Sequence, residues 1–190
     1  PNDFVGRIIE DKRIAGVAFT GSTKAGSAVA KKAGEYLKKT VLELGGNDPY
    51  VILDNADINV AVKSCVEGRL LNAGQSCISA KRLIVTEKNI EVFTKKLLKI
   101  LETKVIGDPH DDVDLGPLVS EDARNEVHNL VEESINSGAN LILGGKIPKI
   151  EGAYYPITVL VNVNPGMTVF DEEVFGPVFS ITTAKSDNDA

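Results

Sequence analysis

Apolar residues occur along this chain in two kinds of block. Short apolar runs, bounded by glycine, proline or asparagine, are typical of strands in the interior of a protein. They predict strands at residues 15–20, 40–44, 50–53, 83–85, 140–145 (including the turn that ends it), 154–163 and 178–183. The first run, AGVAFT, contains no charged residue, so we expect that strand to be buried.

Longer segments carry apolar residues at steps of three and four, which place them on one face of a helix. An alanine- and lysine-rich segment predicts a helix over residues 25–39. The spacing predicts three more helices, over residues 58–73, 90–101 and 123–135. Gly74 and Gly138 are expected to end the first and last of these. Strands that alternate with helices indicate an α/β fold.

The composition argues against several classes of function. Of the 190 residues, 43% are hydrophobic and 25% charged, which is enough for a packed core and a hydrated surface. The net charge is −6 and the basic residues are scattered, so we expect no surface for nucleic acid or an anionic membrane. No apolar run approaches the ~18 residues of a membrane span, and the first residues lack a signal-peptide pattern.

The cysteine and histidine contents bear on redox state and on metals. Cys65 and Cys77 make a poor disulfide framework, so reduced thiols in a cytoplasmic enzyme are the better interpretation. With His110 and His128 as the only histidines and no CxxC motif, a zinc site would be hard to assemble. No metal is predicted.

Cys77 is the first candidate for chemistry. It follows Gly74-Gln75-Ser76 on a predicted loop, where free backbone N–H groups can face a substrate and favour a thiolate. Cys65 lies on the apolar face of the preceding helix, and we expect it to be a small buried hydrophobic residue. On these residues alone, Cys77 fits both a nucleophile and a buried side chain.

Glu43 is the second candidate. It lies in the apolar stretch TVLEL at residues 40–44, which two glycines follow. A carboxylate buried in such a strand is costly unless it is paired or functional, and a desolvated carboxylate suits a general base. The alternative is a glutamate at a strand end that points into solvent.

Two further segments have the composition of functional turns. Residues 19–26, FTGSTKAG, form a strand end, a glycine turn and a helix start, whose free N–H groups and Ser22 hydroxyl would suit a pyrophosphate. This is not the GxGxxG fingerprint, and similar turns are common between strands and helices. Residues 172–177, EEVFGP, combine acidic, aromatic and turn-forming residues, which alone indicates only a loop.

Taken together, four segments resemble the aldehyde dehydrogenase superfamily. In order they are FTGSTxxG, ELGG, GQxC and EExFGP, and the resemblance covers essentially the whole chain. The intervals also fit, with 34 residues from Glu43 to Cys77 and 96 from Cys77 to Glu173. Each motif is modest alone, but four in this order and at these intervals identify the chain as a member of that superfamily.

The resemblance implies a role for each matching residue. Cys77 matches the nucleophile and Glu43 the general base. Six residues match the family's contacts to NAD or NADP: Gly21, Ser22 and Gly26 at the pyrophosphate, Leu44 beside the nicotinamide, Glu173 at the nicotinamide ribose and Phe175 near that ring.

The resemblance also implies a reaction. The Cys77 thiolate would add to an aldehyde, NAD or NADP would accept a hydride, and water activated by Glu43 would hydrolyse the resulting thioester to a carboxylic acid. The runs AGQSCISAKR at residues 73–82 and GAYYP at 152–156 look most like bacterial succinate-semialdehyde dehydrogenases. They predict succinate semialdehyde as the substrate.

In family terms, residues 1–44 are the C-terminal part of a Rossmann-like coenzyme-binding domain. Residues 45–190 are most of a catalytic domain with a mostly parallel sheet flanked by helices. The family's N-terminal half, with the oxyanion-hole asparagine and the residues that distinguish NAD from NADP, has no counterpart here, nor does its subunit-associating strand. We therefore expect an inactive piece of a longer cytoplasmic polypeptide, which forms a homodimer or homotetramer.

Two other classes of protein stay open. A cysteine hydrolase or acyltransferase would pair Cys77 with His128 or His110, although the helical position of His128 favours a solvated or core-edge histidine. A non-catalytic binding or assembly domain could use the same fold. Activity of the full-length enzyme on an aldehyde with NAD or NADP would separate the three.

Overall fold

A computed structural model describes residues 2–190, which divide into two compact units. The division falls between Gly46 and Asn47. Each unit has its own sheet, with two strands in the first and five in the second.

The first unit combines two helices with a parallel pair of strands. Its elements are α1 (Asn2–Glu10), β1 (Gly16–Thr20), α2 (Thr23–Glu35) and β2 (Lys39–Glu43). β1 and β2 pair from Gly16 opposite Lys39 to Thr20 opposite Glu43. The expectation of a buried first strand was wrong, because β1 alternates between exposed and half-buried residues. Such alternation is typical of a sheet that is covered on one face.

Helix α2 is shorter than the predicted helix over residues 25–39. Its first turn is capped by the Ser22 hydroxyl, and it ends at Glu35. Leu37 then takes a left-handed φ of 54°, and the Lys38 N–H donates to the Ala33 carbonyl at 2.9 Å. This left-handed turn stops the helix and directs the chain into β2, which the lysine-rich composition did not reveal.

The second unit is a five-stranded sheet with helices packed on it. Its elements are β3 (Pro49–Ile52), α3 (Ile58–Leu70), a 3-10 turn (Leu71–Gly74), β4 (Arg82–Thr86), α4 (Ile90–Leu101), α5 (Glu121–Asn136), β5 (Asn140–Leu143), β6 (Thr158–Val161), α6 (Thr168–Asp171) and β7 (Val178–Ala184). The strand order is β3-β4-β7-β6-β5. Every neighbouring pair is parallel except β5 with β6. The predicted α/β fold with a mostly parallel sheet is confirmed.

The core of this unit lies between the central strands and the helices. Its innermost side chains come from both layers: Leu83 and Val85 of β4, Phe179 and Ile181 of β7, Val62 of α3, Phe93 and Leu97 of α4, and Val131 of α5. Strands buried in this way read as apolar runs, which is why β4 and β7 could be predicted from the sequence.

Some element boundaries differ from the predictions. The strand predicted over residues 154–163 covers only Thr158–Val161, because Pro156 has no N–H for a ladder and Asn162 takes a left-handed φ of 56°. Helix α3 ends at Leu70, before the predicted stop at Gly74. Helices α1 and α6 were not predicted, and α6 has only four residues, too few for a periodic pattern.

Candidate active site

The cysteine loop, residues 71–80, begins with a left-handed turn. Asn72 and Ala73 have φ values of 51° and 54°, and Gly74 has 78°. The Asn72 side-chain amide donates to the Gln75 carbonyl at 3.0 Å, and the Gln75 amide donates to the Asn72 carbonyl at 3.1 Å. These crossed hydrogen bonds hold a backbone that side chains other than glycine and asparagine adopt at a cost.

Position 74 also requires glycine because its backbone lies very close to the glutamate loop, which we define as residues 172–177. A Cβ at position 74 would lie 2.2 Å from the Gly176 carbonyl oxygen and 2.9 Å from the Pro177 nitrogen. Both distances are shorter than van der Waals contact allows, so any side chain would force the loops apart. Gly74 therefore sets the spacing of the two loops.

The two cysteines have opposite environments. Cys77 is exposed on the cysteine loop, whereas Cys65 is 1% exposed on the inner face of α3. Burial raises the pKa of the Cys65 thiol to about 12. A buried thiol with a raised pKa is a poor nucleophile. The structure thus separates an accessible thiol from an inert one, as expected from their positions on a loop and on an apolar helix face.

Lys81 is a buried cation beneath the cysteine loop, with a side chain that is 1% exposed. Its Nζ donates to the carbonyl oxygens of Ser76 at 3.0 Å, Cys77 at 2.7 Å and Ser79 at 3.3 Å. The same nitrogen lies 3.0 Å from Glu173 Oε1. Since that buried oxygen accepts no well-aligned hydrogen bond within residues 2–190, the ion pair is what compensates it.

Arg69 is a second buried cation, with no exposed surface. Its Nε donates to the Val178 carbonyl at 2.7 Å, and its Nη1 donates to Ser79 Oγ at 3.0 Å. Its Nη2 donates to the Val174 carbonyl at 2.5 Å and also to the Gly176 carbonyl. Arg69 therefore ties the glutamate loop and the start of β7 to the cysteine loop.

Sequence reasoning missed both Arg69 and Lys81 as site residues. Burial lowers the pKa of Arg69 to about 10, a shift that the negative charge of Glu173 opposes, so the guanidinium stays charged at neutral pH. A signal for Arg69 was present, because it follows Val62 and Cys65 at helical spacing on the buried face of α3. A cation within an apolar stripe needs partners, and here they are backbone carbonyls.

The glutamate loop lies beside the cysteine loop because each leads into a central strand. β4 starts at Arg82 and β7 at Val178, and Arg82 is opposite Ser180 in the parallel pair. The Glu173 side chain is 23% exposed, and Phe175 is exposed. The structure therefore brings the two loops together at the amino ends of neighbouring strands, with Lys81 bridging Cys77 and Glu173.

In the first unit, Glu43 lies at the end of β2 with an exposed side chain. Its backbone carbonyl accepts a hydrogen bond from the Gly21 N–H at 3.1 Å. The idea that the carboxylate is buried in an apolar strand is therefore wrong for this unit, and the solvent-facing alternative holds. β2 ends at Glu43, and the paired strand β1 leaves the Glu43 side chain exposed to solvent.

In the turn between β1 and α2, more of the polar groups are used by hydrogen bonds within the protein than we expected. The Ser22 hydroxyl caps α2 by accepting from the Ala25 N–H at 3.2 Å, and the Gly26 N–H donates to the Ser22 carbonyl at 2.9 Å. Both N–H groups are thus used within the helix. Gly26 is buried against Leu44, since a Cβ there would lie 2.3 Å from Leu44 Cδ2. This packing brings two of the predicted cofactor residues into contact.

The histidines do not form a dyad with Cys77 in the described residues. His128 Nδ1 lies 3.3 Å from the hydroxyl of buried Tyr155, and His110 is exposed on the segment between α4 and α5. Residues 2–190 contain no cluster of three or more His, Cys, Asp or Glu side chains arranged to hold a metal ion. Over the same residues, no helix combines the length and apolarity needed to cross a bilayer.

Comparison with known families settles the relationship. The sequence model of the aldehyde dehydrogenase family matches residues 1–190. The chain belongs to the aldehyde dehydrogenase family. The four motifs that carry Gly21, Glu43, Cys77 and Glu173 all fall within that match.

Within the aldehyde dehydrogenases, the chain is similar to proteins named succinate-semialdehyde dehydrogenases. The chain is 49% identical over 185 residues to the succinate semialdehyde dehydrogenase [NAD(P)+] Sad of Escherichia coli, covering 97% of this chain and 40% of that protein. It is 42% identical to the succinate-semialdehyde dehydrogenase [NADP(+)] of Mycobacterium avium, covering 100% of this chain and again 40% of the relative.

A solved structure gives the same relationship in three dimensions. The succinic semialdehyde dehydrogenase of Streptococcus pyogenes, in complex with NADP+, superposes with a TM-score of 0.95 at 38% identity. The match covers 99% of this chain and 42% of that one. The chain thus spans about two fifths of the length of the aldehyde dehydrogenases that it matches.

Proposed function

We propose that the complete protein containing this chain oxidises an aldehyde to a carboxylic acid, with NAD or NADP as the hydride acceptor. The observation that carries the proposal is the exposed Cys77 thiol, which sits on a loop held by a buried ammonium that also binds Glu173. In a chain of the aldehyde dehydrogenase family, this arrangement supports Cys77 as the nucleophile. The match of Glu43 to the family's ELGG motif is what supports it as the general base.

The residues of this chain would act in two stages. In the first, the Cys77 thiolate forms a carbon–sulfur bond to the aldehyde carbon while the carbonyl electrons move to oxygen, where the Cys77 N–H can stabilise them. Breaking the carbon–hydrogen bond then re-forms the carbonyl and leaves a thioester on Cys77, and a nicotinamide, when bound, would supply the acceptor for the departing hydride. In the second, Glu43 takes a proton from water, the hydroxyl oxygen attacks the thioester, and the carbon–sulfur bond breaks to release acid and thiolate.

Each unit, taken by itself, carries residues that suit part of a dinucleotide. Glu173 offers a partly exposed carboxylate, which can accept hydrogen bonds from ribose hydroxyls. Gly21 and Ser22 lie at a helix start, and Leu44 is held against Gly26. We assign these residues and Phe175 to the cofactor and propose that the first unit belongs to the coenzyme-binding domain.

Succinate semialdehyde is the substrate that we propose. The support is the naming of the relatives above, which align with nearly all of this chain at 49% and 42% identity. The substrate must be tested directly, by comparing kcat/KM for succinate semialdehyde with that for butyraldehyde, which has the same number of carbon atoms but no carboxylate. Equal values for the two aldehydes would contradict this assignment while leaving the reaction class intact.

The reaction itself can be tested by separating its two stages. In the complete protein, Glu43→Gln keeps the shape of the side chain but removes its ability to accept a proton. Steady turnover should fall by roughly 10²–10⁴, while a burst of reduced nicotinamide of up to one per site survives. Cys77→Ala should abolish both burst and turnover, since no covalent intermediate can form. Stopped-flow absorbance measures both, with Glu35→Gln on the exposed end of α2 as the control.

Each outcome assigns a role. Near-wild-type turnover of Glu43→Gln would show that Glu43 is not the base. Loss of the burst as well would place Glu43 in activation of the thiol. Turnover in Cys77→Ala would contradict the proposal as a whole.

The chain by itself should be inactive and should bind NAD or NADP very weakly, although Gly21, Ser22 and Glu173 are present. Only part of the dinucleotide's contacts would be available, and ordering the protein and the ligand has its own cost. Calorimetric titration of the 190-residue chain is the measurement. A micromolar dissociation constant would show that these residues form a sufficient site.

A further inference from the structure

Lys81 acts on both peptide groups that flank the Cα of Cys77. The Ser76 carbonyl, 3.0 Å from Lys81 Nζ, shares one planar group with the Cys77 N–H, and the Cys77 carbonyl, at 2.7 Å, shares the next with the Ile78 N–H. In a trans peptide the C=O and N–H point in opposite directions. By fixing the two carbonyls, the ammonium therefore fixes the directions of both N–H groups and of the bond from Cα to the thiol-bearing Cβ.

The Cys77 N–H points away from the ammonium and is free for a ligand. Among residues 2–190, no hydrogen bond from this N–H is found. A donor that is oriented but unused is what stabilisation of an oxyanion requires, since no reorganisation is then needed during the reaction.

We propose that Lys81 is a positioning residue, which holds the N–H and the Cα–Cβ bond of Cys77 in one orientation and ties them to the carboxylate of Glu173. The inference rests on the proposed function of Cys77. Lys81 does not itself touch the reacting atoms, because its donors face the carbonyl oxygens of Ser76, Cys77 and Ser79 and the Glu173 carboxylate.

An ammonium suits this position for a physical reason. It is a compact charge with three donors, and four oxygen atoms surround it here. A neutral side chain would leave the buried Oε1 of Glu173 and the loop carbonyls without the partner that Lys81 Nζ now provides. Each of these groups would then turn toward solvent, so the two loops would shift relative to each other. A misplacement of about 1 Å can cost on the order of 10²-fold in rate.

The test uses Lys81→Met in the complete protein, which removes the charge and the donors but keeps the length of the side chain. The matched control is Lys63→Met, because Lys63 is a 74% exposed side chain on α3. The burst amplitude counts competent sites, and single-turnover kinetics give the rate per competent site. We expect the per-site rate to fall by roughly 10- to 100-fold with the aldehyde KM little changed, since only transition-state positioning is lost.

A second readout needs neither aldehyde nor cofactor. Amide hydrogen exchange over residues 71–80 and 172–177 should accelerate in Lys81→Met, while exchange in α4 and α5 stays as in the wild type. Lys81→Arg, which keeps the charge, should recover part of the per-site rate. Lys81→Gln, which keeps one donor group, serves as a second neutral variant if Lys81→Met does not fold.

The failures are distinguishable. If the wild-type protein oxidises no aldehyde, the proposed function is wrong, and exchange alone then decides whether Lys81 orders the two loops. If Lys81→Met lowers the burst amplitude but keeps the per-site rate, Lys81 is merely structural and the positioning role is overturned. Failure of both neutral variants to fold, or unchanged exchange in the two loops, would overturn it equally.

Discussion

Cys65 and Cys77 lie 12 residues apart in the sequence and differ in almost every physical respect. Cys65 faces the apolar interior from α3, where burial raises its pKa to about 12. Cys77 is exposed on a loop whose carbonyls are bound by the buried Lys81. The comparison shows that the position of the accessible thiol depends on buried polar contacts beneath its loop. The low reactivity of Cys65 requires only close apolar packing.

The largest expected difference between the two cysteines is in their rate of alkylation. At pH 8 a thiol with a pKa of about 12 is ionised in about one molecule in 10⁴, and Cys65 is also shielded from reagents. Brief treatment of the folded chain with iodoacetamide should therefore modify Cys77 at least ~100-fold faster than Cys65. Peptide mapping measures the ratio, and the urea-unfolded chain, where the two rates should converge, is the control. Preferential labelling of Cys65 would reverse the assignment of the two thiols.

Removal of the Arg69 guanidinium should produce the largest change in stability. Arg69→Met leaves the carbonyls of Val174, Gly176 and Val178 without their buried donor, at a cost of roughly 3–5 kcal/mol in the free energy of unfolding. Arg124→Met is the comparison, because Arg124 donates to one backbone carbonyl, that of Gly152 at 2.7 Å, and should cost only about 1 kcal/mol. Urea unfolding followed by far-UV circular dichroism gives both values, and equal costs would mean that Arg69 does not hold the loops.

The spacing of the two loops can be tested at Gly74. Gly74→Ala should lower the free energy of unfolding by about 2–3 kcal/mol, because it adds both left-handed strain and a clash with Gly176. Gly166→Ala separates these effects, since Gly166 has a φ of 92° and nothing within 4 Å of an added Cβ. It should cost about 1 kcal/mol from strain alone. Equal losses in the two variants would show that the loops can separate freely.

The smallest effect concerns the pH dependence of stability through Cys65. Its pKa is raised in the folded state, so its contribution is fully present below the ordinary thiol pKa of about 8.5 and is lost as the pH rises toward 12. Between pH 8 and 9.5 the wild-type chain should lose about 1 kcal/mol more stability than Cys65→Val. Denaturant titrations at the two pH values measure the difference. Parallel behaviour of both chains would mean that Cys65 becomes accessible to water without unfolding.

The sequence was most informative where local patterns decide the structure. Residues 140–143 and the helices at 90–101 and 123–135 form close to where they were predicted, because their apolar spacing matches the faces that they bury. The 3-10 turn that ends α3 was not predicted, since its left-handed backbone depends on side-chain hydrogen bonds within residues 72–75.

The sequence motifs of the candidate site could be predicted, but the buried contacts that join them could not. Arg69 binds carbonyls of residues more than 100 positions away in the sequence, and no local pattern reports such partners. In the sequence, Lys81 is only the first residue of a basic pair, Lys81-Arg82, at the start of β4. The exposure of Glu43 could not be predicted either, because a strand-end residue has the same sequence whether its side chain turns inward or outward.

The adjacency of β4 and β7 has a consequence for the order of events in biosynthesis. These strands are neighbours in the sheet, yet β7 starts 92 positions after β4 ends. At translation rates of about 5–20 residues per second, the cysteine loop leaves the ribosome several seconds before the glutamate loop that completes it. Closing so long a segment is entropically slow compared with forming the local α3–α4 contacts. During that interval the nascent chain carries Lys81 without its carboxylate, so the loop around Cys77 gains its full set of contacts only when β7 inserts.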